Sequence, residues 1–130
     1  MSEHPHITRM REAYLAFGKG DLDALQEFWS PELLWHAPGN SSIAGTYEGV
    51  PAVLGFLGQV LELAQGTFRA EPQTFFAGDD LGVAVVRLTG QRDGRSLDVI
   101  NAQISRFDGD RIVEFRDTSS DLDALDRFFA

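Results

Sequence analysis

A chain of 130 residues, 43% hydrophobic and 24% charged, has the size and composition of one soluble domain, residues 1–130, with a single core. A net charge of −9 with no stripe of Arg or Lys repels phosphate backbones and argues against a nucleic-acid partner. The absence of cysteine excludes disulfides, thiol nucleophiles and thiolate metal sites, which leaves carboxylate and histidine chemistry.

The N-terminal MSEHPHITRMREAY mixes charge with apolar residues and has no secretory pattern, and no run is apolar enough to span a bilayer. The expectation is a cytoplasmic protein with no membrane partner. From Pro5 to Phe17, the positions Ile7, Met10, Tyr14 and Phe17 follow the period of a helix with one buried stripe, ended by Gly18 and Gly20. Asp21 is then a suitable N-cap for a second helix, LDALQEFW, whose Leu22, Leu25, Phe28 and Trp29 share a face before Ser30-Pro31 breaks it. LLWHAPG reads as a short strand followed by a Gly/Asn/Ser loop. A third helix opens near Pro51 and carries Val53, Leu54, Phe56, Leu57, Val60, Leu61 and Leu63, apolar around so much of its girth that it must be largely covered.

After Gly66 the period changes to two. Residues 67–77, 81–92, 96–107 and 111–119 read as strands joined by GDD, DGR and DGD, so neighbours are antiparallel. Pro72 places its strand at an edge or a bulge, and LDALDRFF after Asp121 is a last short helix. Helices followed by a meander make an α+β fold. Alternation divides the long strands into a smoothly apolar face, with Val86, Leu88, Ile100, Ala102 and Ile104, and a mixed face. The mixed face carries Val83, Val85, Arg87 and Thr89 of one strand and Val99, Asn101, Gln103 and Ser105 of the next. Either helices cover the apolar face and the mixed face is solvated, or the mixed face encloses a pocket with polar groups inside.

The order of elements, with YLAFGKGDLDAL, LLWHAPG, IAGTYEGVPAVLGFL and FDGDRIVEFRD, resembles the nuclear transport factor 2-like superfamily and, within it, the SnoaL-like proteins, from about residue 8 to 129. The resemblance implies a curved antiparallel sheet of four to six strands wrapped around helices as a cone with an internal pocket, into which Val85, Arg87, Thr89, Val99, Asn101, Gln103, Val113, Phe115 and Asp117 would look. It implies an apolar small-molecule ligand, and a homodimer through the outer sheet face, where Val86, Leu88, Ile100, Ala102 and Ile104 would lie. The superfamily contains ketosteroid isomerases, polyketide cyclases, limonene epoxide hydrolases and non-enzymatic domains, so the fold does not name a reaction.

Carried over residue by residue, the isomerase base falls on Ala37, its protonated acid on Gln103, and its phenol on Ala13 with Tyr14 one step round. The epoxide-hydrolase set keeps an arginine at Arg87 and an aspartate at Asp117, has Thr89 in place of the second aspartate, and brings His36 near a water-holding asparagine. The acid–base residue of SnoaL-like cyclases corresponds to Asp117. The resemblance thus implies a cofactor-independent isomerase, cyclase or hydrolase acting on an apolar, polyketide- or terpenoid-like substrate, or a non-catalytic binding or dimerisation module of the same fold.

Asp117, Arg87 and His36 are the candidate catalytic residues. Paired tightly with Arg87, Asp117 would be a permanently ionised structural carboxylate; paired loosely beside Phe115, it would titrate near neutrality. Tyr14, Trp35, Asn101, Gln103 and Phe115 are the candidate substrate-binding residues, the amides suited to orienting a carbonyl or hydroxyl. Trp35 and His36 are successive strand residues, so one faces the pocket and the other does not. His4 and His6 flank Pro5, His36 has no second ligand at metal spacing, and GKGD lacks a Walker pattern, so neither metal nor cofactor is expected.

Overall fold

The computed structural model describes residues 3–130. Helix α1 spans Pro5–Gly18 and a single 3-10 turn spans Asp23–Glu27. Strands β1 (Trp29–Ala37) and β2 (Gly45–Glu48) precede helix α2 (Val50–Leu63). The meander β3 (Arg69–Ala77), β4 (Leu81–Arg92), β5 (Arg95–Asp108) and β6 (Arg111–Ser119) ends in helix α3 (Leu122–Phe128). The six strands form one sheet in the order β2-β1-β6-β5-β4-β3, antiparallel throughout except where β1 runs parallel to β6. This is the curved, unclosed α+β cone that the resemblance implies. Among the described residues no helix is long and apolar enough to cross a membrane.

The expected second helix is only the 3-10 turn. Asp21 Oδ1 accepts from the Ala24 N–H, and Leu25 and Phe28 are buried, but Trp29 already belongs to β1. Helix α1 packs on β3 and β4, α2 on β1 and β2, and α3 on β5 and β6. In α2 the buried Val50, Val53, Phe56, Leu57 and Val60 recur at helical spacing and fill the inside of the sheet. Pro72 satisfies both sequence expectations, since β3 is an edge strand and its register shifts between Pro72 and Thr74.

The face that β4 turns inward is the opposite of the one expected. Asp93 and Gly94 both have positive φ, 47° and 80°, and close a two-residue turn with Arg92 opposite Arg95. This register sets Val86 against Asn101, Leu88 against Val99 and Ala84 against Gln103. Val86 and Leu88 are therefore core residues, 0% and 3% exposed, and not part of the outer face. Ile100, Ala102 and Ile104 do occupy that outer face, whereas Val85, Arg87 and Thr89 lie outside instead of inside. On β6, a register shift between β5 residues Arg106 and Phe107 makes Val113 the extra residue of a bulge. Ile112 takes the inward place expected for Val113, and Phe115 and Asp117 remain inward as expected.

Candidate functional site

The sheet and helices enclose a cavity of about 120 Å³. Its walls are apolar and aromatic. Trp35 stacks on Phe115 with ring centroids 3.7 Å apart, and Trp29 and Phe56 flank the pair at 5.8 and 6.0 Å from Trp35. The parallel pairing explains this placement, because Trp35 lies opposite Phe115 and His36 opposite Arg116 in unbroken register. Trp35 and Ala37 line the cavity, and Ala37 stands there as an apolar residue.

The polar end is built by four strand residues and one helix residue. On β5, Asn101, Gln103 and Ser105 alternate inward, and each is buried although polar. Asp117 lies directly across from Gln103. Asn101 Nδ2 donates to Asp117 Oδ1 over 2.9 Å, and Asn101 Oδ1 has no partner among the described residues. Asn101 is thus a donor towards the carboxylate. From α1, the Tyr14 hydroxyl donates to Gln103 Oε1. With its oxygen so engaged, Gln103 turns its amide N–H₂ to Asp117 and is the second side-chain donor to it.

Asp117 borders the cavity and is surrounded by protein on its other sides. Burial dominates its ionisation and pushes its pKa up to about 7, against the opposing donors Asn101, Gln103 and the backbone N–H of Thr118. All three donors are neutral. Tyr14 moves in the same direction, its pKa raised first by burial and then by the negative charge of Asp117. It therefore stays a phenol, able to donate, at any ordinary pH.

Two of the expected catalytic residues are elsewhere. Arg87 lies on the outer face of β4, where Nε and Nη2 donate to the two carboxylate oxygens of Asp98 over 2.9 and 2.7 Å. It does not reach Asp117, and as a solvent-exposed pair it adds little to stability. The reason is the two-residue turn at Asp93-Gly94, which reverses the face of every β4 side chain. His36 also points outward. Its Nε2 donates to Glu114 Oε2 over 2.7 Å, and its Nδ1 lies 3.0 Å from the Thr46 hydroxyl. This contact is the foremost cause holding the Glu114 carboxyl below its ordinary pKa, with Arg106 a lesser one.

The remaining expected residues converge. Tyr14, Trp35, Gln103, Phe115 and Asp117 all line the cavity, and Asn101 supports it from behind Asp117. Sequence reasoning put Ser105 on the mixed face without counting it among the site residues, and it lines the cavity one alternation beyond Gln103. It also overlooked the wall supplied by the loop after β1. Ser41 and Ile43 line the cavity. The loop is clamped by Asp126 of α3, whose Oδ1 accepts from the N–H groups of Asn40 and Ser41 at 2.9 and 3.2 Å, and by the Tyr47 hydroxyl donating to the Ile43 carbonyl at 2.7 Å.

Gly39 makes the clamp sterically feasible. Its φ is +98°, and an added Cβ would stand 2.1 Å from Asp126 Oδ1. Gly39→Ala is expected to strain the backbone and displace the carboxylate from both amides, at a cost of about 3 kcal/mol. The readout is a lower urea midpoint with an unchanged slope. A midpoint equal to that of the wild type would remove Asp126 as the clamp.

Comparison with known proteins agrees with the geometry. The SnoaL-like domain pattern matches residues 10–115. An uncharacterised protein of Mycobacterium tuberculosis is 30% identical over the whole of both chains. The structure of Bal32a, from a soil-derived mobile gene cassette, is 31% identical, covers 97% of each chain and superposes with a TM-score of 0.94. An NTF2-like protein of unknown function from Burkholderia pseudomallei, 23% identical over 98% of this chain and 99% of its own, shares the fold with a TM-score of 0.85. The chain belongs to the SnoaL-like domain family.

Proposed function

We propose that this protein is a cofactor-independent small-molecule enzyme, an isomerase, cyclase or hydrolase, in which Asp117 moves a proton to or from an apolar substrate held in the cone. The single observation that carries the reading is the setting of Asp117. It faces an aromatic cavity, is flanked by neutral donors, and has a pKa of about 7. A carboxyl poised at neutrality is matched to general acid–base work, because both protonation states are populated at working pH. Gln103, oriented by Tyr14, presents its amide N–H₂ beside the carboxyl, where a substrate carbonyl or hydroxyl is held next to the proton donor. Membership of the SnoaL-like family fits a small-molecule isomerase or cyclase, and the apolar, aromatic lining of the cavity fits an apolar, polyketide- or terpenoid-like substrate.

One set of observations favours a second reading, a non-catalytic binding module. Ala37 brings no carboxylate into the cavity, and Arg87 and His36 lie outside it. Asp117 then has no charged partner for a relay.

The two readings are separated by following the Asp117 side-chain carbon by NMR against pH, and by turnover of a panel of cyclic ketones and epoxides. The enzyme reading expects a midpoint near 7 and turnover that Asp117→Asn abolishes in a folded protein. A midpoint in the ordinary acid range, or undiminished turnover in the variant, would falsify it.

A further inference from the structure

We propose that the cavity receives an apolar molecule bearing a protonated amine, with Asp117 as its counter-charge. The inference rests on the reading above in that Asp117 is the group the site offers to its ligand, and it adds the chemical class that the carboxylate selects.

The carboxyl of Asp117 faces the cavity, and among the described residues no Lys, Arg or His lines that cavity with it. The basic side chains nearest in sequence and register are all committed on the opposite face of the sheet. Arg87 holds Asp98, while His36, Arg106 and Arg116 gather on Glu114. The groups touching Asp117 are the amides of Asn101 and Gln103 and the N–H of Thr118, and Tyr14 on α1 is the other titratable group facing it. A carboxylate enclosed in a low-dielectric site without an opposite charge is unfavourable, and here the protein supplies none. A ligand cation supplies it.

The walls suit the same occupant. Trp29, Trp35, Phe56 and Phe115 line the cavity with aromatic surface, and an exposed ring face attracts a cation while the rings pack against the apolar body of the ligand. A ligand bearing a carboxylate or phosphate meets the reverse situation, a second negative charge beside Asp117. The net charge of −9 enriches cations and depletes anions around the protein as a whole.

The volume of about 120 Å³ is close to that of an apolar cavity that holds benzene, about 150 Å³, so single-ring probes fit. The test is calorimetric titration at about pH 8 with benzylamine, its neutral isostere benzyl alcohol, and benzoate. Benzylamine is expected to bind about tenfold or more tightly than benzyl alcohol, the lower end of what an adjacent opposite charge does for a carboxylate. Benzoate is expected not to bind. In Asp117→Asn the preference for the amine over the alcohol disappears. As a check that needs no variant, benzylamine lowers the NMR midpoint of Asp117 in the wild-type protein and benzyl alcohol does not. Failure of benzylamine to bind, equal or tighter binding of the alcohol, or a preference that survives in Asp117→Asn overturns the proposal. If the alcohol wins while Asp117 of the free protein titrates near 7, the amine is excluded and the acid–base reading stands. Titration of Asp117 in the ordinary acid range removes the acid–base reading alone, and the amine preference then decides this proposal.

Discussion

Replacing Asp117 by asparagine is expected to stabilise the protein above pH 7 and to leave its stability nearly unchanged below about pH 4. The sign follows from where the proton sits. The folded carboxyl, at about 7, holds its proton more tightly than the unfolded one at 3.8. Between those values the native state carries a proton that the unfolded state has released. Wild-type stability therefore falls as pH rises through this window, and the loss is complete above 7. A displacement of this size corresponds to about 4 kcal/mol. Asparagine cannot ionise, so the variant escapes this loss, while its side-chain oxygen still accepts from Asn101 Nδ2. Urea denaturation of both proteins at several pH values isolates the effect, because all other carboxylates are common to the pair. The difference is expected to open from near zero at about pH 4 to its full size at about pH 8. A difference that stays flat with pH would mean that Asp117 is solvated like a surface residue. A stabilising change that abolishes turnover is the behaviour of a group kept in an unfavourable setting for its chemistry.

The second large effect is expected at Phe128. Its side chain is 1% exposed. It lies so close to β4 that a Cβ added to Gly90 would stand 3.2 Å from its Cζ, and it packs edge-on to Phe129 at 4.9 Å. Phe128→Ala is expected to cost about 3–5 kcal/mol, the range for deleting a buried aromatic ring. In a protein of ordinary stability, about 5–15 kcal/mol, that is a large share of the total. The site should suffer as well. Leu125 and Phe129 line the cavity, and Asp126 of the same helix fastens the loop after β1. Urea midpoints give the stability change, and calorimetric titration with benzyl alcohol reports the cavity. Wild-type stability in the variant would mean that α3 is held by its backbone contacts alone.

Much of this architecture was legible from local pattern. The four meander strands, α1, α2, α3 and the role of Pro72 follow from periodicity and turn residues, since each depends on near neighbours. Asp117, Gln103 and Phe115 were placed correctly because they alternate with outward residues on strands whose ends were clear.

The error at Arg87 has an instructive cause. Treating Asp93-Gly94-Arg95 as a three-residue connection sets Arg87 opposite Asn101, whereas the two-residue Asp-Gly turn sets Val86 there. One residue of register moves a whole strand to the other face. The preference of Asp-Gly for the tighter turn carried the correct answer.

His36 and Trp35 were a different case. Their facing depends on the parallel pairing of β1 with β6, which joins segments about 80 residues apart and leaves no local signature. The Asp126 clamp was illegible for the same reason. Nothing in LDALDRFF distinguishes the aspartate that grips a distant loop from the Asp123 beside it.

The clamp also bears on how the protein forms and comes apart. Asn40 and Ser41 meet Asp126 across 86 and 85 residues of chain, so the contact closes only after the meander has brought α3 back beside β1. Interactions of such long sequence separation form late, after most of the surface is already buried. Substitutions in the clamp should therefore leave the refolding rate almost untouched and accelerate unfolding instead. On that order the wall of the cavity would close last and open first, and the lifetime of a trapped ligand would be a property of α3.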